Sequence, residues 1–402
     1  MQVASLQVRF TALVTLLLLI GCQNLSNSAK PALPQLSSPA ALKQPKFLFV
    51  AGELPGGTGA YQVFSVDEVT GSLKSIPGAL LPDDNLAKEI NYQASTHTLY
   101  VSTTQASLIA SIPWLHILHF SPSEGSLSLI GQVDDSANWS NAITPDGRFV
   151  YANGFEKISA FAPEATSGLL TPLPTSPYPT NSEGQWMLRM HPSGRYMYGI
   201  GFYTLNPPGP NGSNVISHLI GFALDPNTGA PSMLTGFPLP QQLGGGLAMH
   251  PSGKFVFATG LNALNSYQVD PSSGTLELVG SAPFDGRNYP SIVPVVDPSG
   301  KFVFLCCTNN QLFGFRINQA TGAVTQLDSS PILVSAPETD PEAPIAASGG
   351  YLFLGQGGVF NPTAPAAINV FHINDDGSLS LVAGSPFPTT AGKVKALAVA
   401  EE

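Results

Sequence analysis

Residues 250–257 have the sequence HPSGKFVF, and close copies of this stretch recur along the chain. The copies are HPSGRYMY at 191–198, DPSGKFVF at 297–304 and TPDGRFVY at 144–151. In each copy, proline presets the first central residue of a tight turn, and glycine supplies the left-handed position that closes it. The aromatic and aliphatic residues that follow have strong strand propensity. Each copy therefore predicts a turn that leads into a β-strand.

A second turn follows each of these strands at a regular distance. Examples are LNSYQVDPSSGTLELV at 264–279 and LIGFALDPNTGAPSML at 219–234, where a strand, a turn and another strand succeed one another. The second turns contain seven glycines: Gly71, Gly125, Gly168, Gly229, Gly274, Gly322 and Gly377. With a short strand before each first turn, every unit of about fifty residues supplies four antiparallel strands. Seven such units predict an all-β fold, a seven-bladed β-propeller.

The two ends of the repeat region predict how the ring closes. The first unit begins at residue 46 with no inner strand before it, whereas residues 396–400 (ALAVA) resemble the inner strand at 246–250 (GLAMH). We therefore expect the C-terminal strand to become the innermost strand of blade one. This arrangement hides sheet edges that could otherwise pair with other chains.

The amino-terminal segment predicts export and a lipid anchor. Arg9 precedes the apolar run 10–20 (FTALVTLLLLI), which is too short to span a membrane stably. The run ends in LIGC at 19–22, which resembles the lipobox of bacterial lipoproteins and implies cleavage after residue 21 and lipid attachment to Cys22. The alternative is a plain signal peptide with an incidental cysteine.

Residues 22–45 are rich in Ser, Pro, Ala and Gln and predict a flexible tether, so the propeller is expected over 46–402. The anchor predicts a cell-envelope location, either at the periplasmic face of an outer membrane or at the cell surface. We expect a monomer that reaches the membrane through the lipid.

Composition and motifs exclude several functional classes. The net charge is −10 and no basic cluster is present, which argues against a nucleic-acid partner. No HExxH, Gly-x-Ser-x-Gly or phosphate-binding loop occurs, and the three cysteines have no zinc-ligand spacing, so we expect neither a metal nor a cofactor. Cys306 and Cys307 are neighbours on one predicted strand and are expected to be buried thiols; a disulfide between them or a redox role is the alternative.

The repeat motifs, HPSG-K/R-F/Y and DP-x-S/T-G-x-L, resemble those of the bacterial lactonase family of seven-bladed propellers over roughly residues 46–400. That family includes propeller-type 6-phosphogluconolactonases and related YVTN-repeat proteins. The resemblance implies the propeller fold and a metal-independent lactone hydrolase. In the family, a Gly-x-Arg-His run often opens one inner strand and a Glu follows the next strand. Here Trp186 and Met187 occupy the Arg and His positions, no Glu follows residues 196–198, and Arg189 lies three positions late.

Ligands of propellers usually sit where the inner strands begin, so we aligned the residues that precede each first turn. Six places before the turn proline, or its equivalent, stand Lys395, Lys88, Trp139, Trp186, Gly245, Ile292 and Pro341 in ring order. Three places before it, Arg189 is the one charged residue and Asn91 is among the others. Arg287 lies in the loop that enters blade six. These positions predict a ligand site at the mouth of the central channel.

Two interpretations of these residues remain open. Tryptophan faces could stack on a small acidic or sugar-like ligand while the cations hold a carboxylate or a lactone carbonyl. Alternatively, Trp139 and Trp186 pack between blades, Arg189 pairs with an acid such as Asp83 or Glu342, and Arg287 is a solvated loop charge. His191 and His250 occupy a slot that Thr and Asp fill in other units. We therefore expect them to be turn residues.

Two functions follow from this sequence. The first is a lipid-anchored envelope propeller that acts as a scaffold for a ligand or for an envelope protein. The second is a metal-independent lactonase in which Arg189 or Lys88 polarises the carbonyl that water attacks.

Overall fold

The computed structural model describes residues 45–77, 81–105, 114–134, 139–180, 182–204, 215–239, 243–260, 262–284, 293–308, 311–334, 344–356 and 366–401. These residues form antiparallel strands and one short 3-10 helix, Ala94–Thr96. Nothing helical in these ranges has the length and apolarity that a membrane crossing requires.

The strands form seven sheets in chain order, and each sheet is one blade. Blade 1 contains β1 (Pro45–Glu53), β2 (Gly59–Val66), β3 (Leu73–Ser75) and β4 (Leu81–Asp83). Blade 2 contains β5 (Asn85–Gln93), β6 (Thr98–Gln105), β7 (Trp114–Ser121) and β8 (Ser126–Asp134). Blade 3 contains β9 (Asn141–Ile143), β10 (Val150–Asn153), β11 (Lys157–Pro163), β12 (Leu170–Pro172) and β13 (Tyr178–Pro179).

The remaining blades follow the same plan. Blade 4 contains β14 (Gly184–Met190), β15 (Tyr196–Thr204), β16 (Val215–Leu224) and β17 (Pro231–Met233). Blade 5 contains β18 (Leu243–Met249), β19 (Phe255–Gly260), β20 (Ala263–Val269) and β21 (Leu276–Pro283). Blade 6 contains β22 (Pro294–Val296), β23 (Phe302–Thr308), β24 (Gln311–Ile317), β25 (Val324–Gln326) and β26 (Ile332–Leu333). Blade 7 contains β27 (Ile345–Ser348), β28 (Tyr351–Gly355), β29 (Ala367–Ile373), β30 (Leu379–Leu381) and β31 (Phe387–Pro388), and the last strand is β32 (Lys393–Glu401).

The C-terminal strand closes the ring as predicted. The strand order of blade 1 is β3-β2-β1-β32, and Leu48 lies opposite Val399 in the antiparallel ladder. The innermost strands β32, β5, β9, β14, β18, β22 and β27 contact one another in this order, and β27 contacts β32. The buried Gln62 of blade 1 accepts hydrogen bonds from the Thr389 hydroxyl (2.6 Å) and the Thr390 amide (2.9 Å). These hydrogen bonds therefore hold the segment that leads into β32 against blade 1.

The outer position of the blade is built in two ways. In blades 1, 3, 6 and 7 it is divided into two short strands that pair with the same neighbour, as β3 and β4 do with β2. In blades 2 and 5 it is one long strand, β8 or β21, with a register shift in its ladder. The four strand positions per blade predicted from the sequence are present in all seven blades.

The hydrophobic core is distributed around the ring. The buried apolar side chains of the described residues form one cluster between each pair of neighbouring blades. The cluster between blades 1 and 2, for example, joins Phe49 and Val63 to Leu99 and Phe120. Each blade is therefore stabilised mainly by its two neighbours, as expected for a repeat architecture.

The second-turn glycines pack against the preceding blade. Gly229 of blade 4 has φ +72°, and a Cβ added to it would lie 2.4 Å from Cδ1 of Phe149 in blade 3. Three buried tyrosines also donate hydrogen bonds to second-turn glycine carbonyls of the next blade: Tyr100 to Gly168 (2.8 Å), Tyr151 to Gly229 (2.7 Å) and Tyr198 to Gly274 (2.8 Å). The repeated turn therefore joins blades as well as reversing the chain.

The turn histidines have the same joining role. The Nδ1 atom of His191 accepts the Ser193 amide (3.1 Å), so Nε2 carries the hydrogen that it donates to the Gly253 carbonyl of the next blade (2.8 Å). His250 repeats the arrangement, with its Nε2 2.9 Å from the Gly300 carbonyl. Both histidines are structural, in agreement with the prediction. Burial lowers the pKa of each below 6.5, and a proton on Nδ1 would displace the amide hydrogen bond.

This geometry predicts acid-sensitive stability. Because the folded pKa values of His191 and His250 are lowered, the unfolded chain binds more protons below about pH 6.5, and stability is lost as the pH falls through that range. Gln93 fills the same slot in blade 2 and donates to the Gly147 carbonyl (3.1 Å), so glutamine can replace the histidine hydrogen bond. We expect the double variant His191→Gln, His250→Gln to lose less Tm than wild type between pH 7.5 and pH 5, measured by calorimetry.

The exposed His372 supplies the control, since it contacts Asn374 of its own blade and His372→Gln leaves the hydrogen bonds of His191 and His250 in place. An identical fall of Tm in wild type and in the double variant would contradict the assignment. Some fall of Tm with decreasing pH is expected in both wild type and the double variant, because burial also lowers the pKa of His218 to about 4.

One prediction needs correction at the cysteines. Cys306 is buried on β23 but is disulfide-bonded, so it is not the free thiol that we expected. The side chains of the other two cysteines, Cys22 and Cys307, lie outside the described parts of the chain.

Candidate functional site

The positions aligned from the sequence coincide with β-bulges at the start of the innermost strands. Ladder register shifts leave Lys395 of β32, Lys88 of β5 and Trp186 of β14 as the extra, unpaired residues. A bulge redirects the side chain of the extra residue and ends regular pairing there. The channel mouth, defined here as the end of the ring where the innermost strands begin, therefore carries a recurring backbone irregularity.

Lys88 and Trp139 come together at this mouth. The Lys88 Nζ lies 5.5 Å from the centroid of the Trp139 ring, a cation–π distance. Trp139 is 44% exposed, so it is not packed between blades. Its backbone amide donates to Asn153 Oδ1 (3.0 Å), which fixes the segment just before β9. An indole face bordered by a cation is thus available to solvent.

Arg189 enters a network that crosses three blades. Its Nη1 lies 2.5 Å from Glu89 Oε1 and donates to the Leu188 carbonyl (2.8 Å). The Ser140 hydroxyl donates to Glu89 Oε2 and accepts the Leu188 amide (2.9 Å). Arg189 is the last residue but one of β14 and Glu89 lies midway along β5, so this pair lies deeper than the channel mouth. Their side chains remain 24% and 17% exposed, and the pair joins blade 4 to blade 2 past blade 3, so it lies in the channel rather than inside a blade interface.

The structure answers part of the alternative raised by the sequence. Arg189 does pair with an acid, but this acid is Glu89 on β5. Asp83 is engaged elsewhere: it accepts hydrogen bonds from the Tyr61 hydroxyl (2.8 Å) and from His116 Nδ1 (2.8 Å). Burial alone would raise the pKa of Asp83, but these hydrogen bonds and the His116 charge hold it below 3.8. Asp83 also accepts the Asn85 amide (3.0 Å) and so positions the first residue of β5.

The other predicted residues occupy separate places. Lys395 forms an ion pair with Glu53 (3.1 Å) within blade 1. Asn91 donates to both the backbone oxygen and the side-chain oxygen of Asn141 (3.0 Å each), which bridges blades 2 and 3. Arg287 and the side chain of Trp186 lie outside the described residues. Of the predicted residues, Lys88 therefore contacts Trp139, and Arg189 contacts Glu89. The two pairs are joined through neighbouring positions of the chain, because Glu89 follows Lys88 and Ser140 follows Trp139.

Sequence reasoning missed Glu89 and Ser140. Glu89 follows Lys88 directly, but the bulge at Lys88 changes which side chains of β5 face the channel. Ser140 lies next to Trp139 and is almost fully buried. Glu89 could have been found from the sequence because it is an acidic residue directly after the aligned Lys88. No pattern in the sequence distinguishes Ser140.

The arrangement offers defined chemistry. The Arg189 guanidinium and the Glu89 carboxylate present donors and acceptors, and the Trp139 face presents an apolar plane. Such a combination suits a small ligand with both hydroxyl groups and an apolar face. Within the described residues, no group of three or more His, Cys, Asp and Glu is placed to hold a metal ion.

Comparison with known proteins supports the family resemblance. Residues 223–339 match the family model described as a lactonase with a seven-bladed β-propeller. No curated protein sequence matches the chain. The fold is similar to a candidate 6-phosphogluconolactonase from Bacteroides uniformis, with 16% identity, 89% of this chain and 100% of that chain covered, and a TM-score of 0.69. It is also similar to the periplasmic gluconolactonase of Pseudomonas aeruginosa, with 15% identity, 88% and 98% coverage, and a TM-score of 0.66. The chain is therefore a seven-bladed β-propeller that is similar to the lactonase family over residues 223–339.

Proposed function

We propose that this chain is a lipid-anchored cell-envelope propeller that binds a small sugar-like or acidic ligand at its channel mouth. The exposed face of Trp139, bordered by Lys88 and adjoining the Arg189–Glu89–Ser140 network, carries the proposal. The envelope location rests on the lipobox at 19–22. Cell fractionation tests it, because Cys22→Ser should move the protein from the membrane fraction to the soluble fraction.

The ligand site predicts a specific effect of Trp139. We expect Trp139→Ala to weaken binding of a sugar or sugar acid about tenfold in isothermal titration calorimetry, because the variant loses the stacking plane. Phe155, which is 59% exposed on the same blade, supplies the control, and Phe155→Ala should bind as wild type does. Equal losses of affinity in both variants would show that Trp139 is not part of the site. If the wild type binds none of the sugars and sugar acids tested, the proposed function is contradicted.

Lactone hydrolysis is the second candidate, favoured by the proximity of Arg189, Glu89 and Ser140. In this scheme, Arg189 polarises the lactone carbonyl and Glu89 accepts a proton from the attacking water. The C–O bond of the ring then breaks, and the leaving ring oxygen takes the proton back from Glu89 to give the hydroxy acid. The names of the two similar structures, a candidate 6-phosphogluconolactonase and a gluconolactonase, support the same class.

A pH-stat assay on sugar lactones separates the two candidates. Turnover by wild type that is lost in Arg189→Ala would favour the lactonase. If the wild type binds these sugar lactones but hydrolyses none of them, the ligand-binding propeller is favoured.

A further inference from the structure

Two cations at the channel mouth and in the channel below it are already paired with carboxylates. Arg189 is paired with Glu89, and Lys395 is paired with Glu53. Lys393 lies opposite Glu53 in the β1–β32 ladder. Lys88 lies over the Trp139 ring. A phosphate or carboxylate that enters this mouth would have to displace an internal carboxylate before it could pair with Arg189 or Lys395.

The surroundings of these pairs add negative charge. At the end of the ring where the innermost strands begin, the described cations are Lys88, Lys157, Lys393 and Lys395, and Arg189 lies deeper, at the last residue but one of β14. The described carboxylates there are Glu53, Asp83, Asp84, Asp134, Glu156 and Glu183, while Glu89 lies midway along β5 with Arg189. Six described carboxylates against four described cations repel an anion, and like-charge contact is a strong means of excluding a wrong partner.

From this pairing we infer that the mouth selects a neutral polyhydroxyl ligand, an unphosphorylated sugar, over its phosphorylated or acidic counterpart. The inference rests on the proposed function and names the ligand class of the same site. The Arg189–Glu89 pair offers hydrogen-bond donors and acceptors to hydroxyl groups, and Trp139 offers a face for the sugar ring. Glu89 acts as the selectivity residue, because its carboxylate already neutralises the Arg189 charge that an anionic ligand would use.

The test compares D-glucose, D-glucose 6-phosphate and D-gluconate by isothermal titration calorimetry with wild type and with Glu89→Gln. Wild type should bind D-glucose about tenfold more tightly than either anion. Glu89→Gln keeps the size of the side chain but removes the charge that neutralises Arg189. It should therefore reduce or reverse the preference for D-glucose over the two anions. Retained D-glucose binding by the variant shows that it is folded and that its site is intact.

Glu183→Gln is the matched control, since it removes one charge from the same end of the ring while Glu89 still neutralises Arg189. Glu183 accepts the Thr204 amide and forms no described contact with Arg189. Glu183→Gln should leave the preference for D-glucose over the anions nearly unchanged. An equal effect of Glu183→Gln and Glu89→Gln on that preference would overturn the role of Glu89. Tighter binding of the phosphorylated sugar by wild type would overturn the inference while leaving the proposed function in place. Failure of all three probes to bind would contradict the proposed function itself.

Discussion

Removal of residues 393–402 is expected to abolish the cooperative thermal unfolding of the propeller. The deletion removes β32, which is paired with β1 from Pro45 to Glu53 and places Val394, Ala396 and Ala400 in blade interfaces. It would also expose the inner edge of β1 and open the ring between blades 7 and 2. Because a domain is stable by only about 5–15 kcal/mol, we expect this loss to exceed the total stability. Calorimetry that shows an unchanged transition for residues 1–392 would contradict the closure.

A pair of point substitutions tests the closure without truncation. Ala396 is 3% exposed and packs between blades 1 and 2, whereas Val399, on the other face of β32, is partly exposed. Ala396→Asp should therefore destabilise the fold by several kcal/mol, because it buries an unpaired carboxylate. Val399→Asp should cost clearly less. Equal losses of Tm would indicate that β32 does not have this register.

Gly229→Ala is expected to destabilise the chain strongly for its size. Positive φ costs a non-glycine residue roughly 1–2 kcal/mol, and a methyl group placed 2.4 Å from the Phe149 ring adds an overpacking cost of about 1–3 kcal/mol. We therefore expect a loss of about 2–5 kcal/mol in chemical denaturation.

Gly236 separates the two contributions. It has φ +88° and nothing within 4 Å of an added Cβ, so Gly236→Ala should carry the backbone cost alone. Phe149→Leu removes the ring that Gly229→Ala meets. The double variant should then be more stable than the sum of the single losses predicts. Equal effects of the two glycine substitutions would show that the turn does not join the blades as described.

The fold could be predicted because its information is local and repeated. The first-turn proline and glycine recur in four units and the second-turn glycine in all seven, and the match between 396–400 and the inner strand at 246–250 indicated the closure. The division of the outer strand in four blades was not predicted, since a short interruption leaves the four-position pattern intact.

The candidate site could be predicted only in part because its contacts join residues far apart in the chain. The alignment placed Lys88, Trp139 and Arg189 at comparable positions, but the partner of Arg189 lies 100 residues away on another blade. Bulges decide which way these side chains face, and a bulge has no clear signature in one sequence. The disulfide at Cys306 was likewise the less favoured alternative, since neighbouring cysteines on a strand normally point to opposite faces.

The pairing of Pro45 with Glu401 brings the entry and the exit of the propeller to adjacent positions of one ladder. The two ends of the propeller chain therefore meet within blade 1, between β32 and β1, and not at a boundary between two blades. The ladder between these two strands joins them by hydrogen bonds. A short peptide could bridge these two residues, and the chain could be reopened between two other blades in a circular permutant. The order in which the gene encodes the blades is thus separable from the order in which they pack.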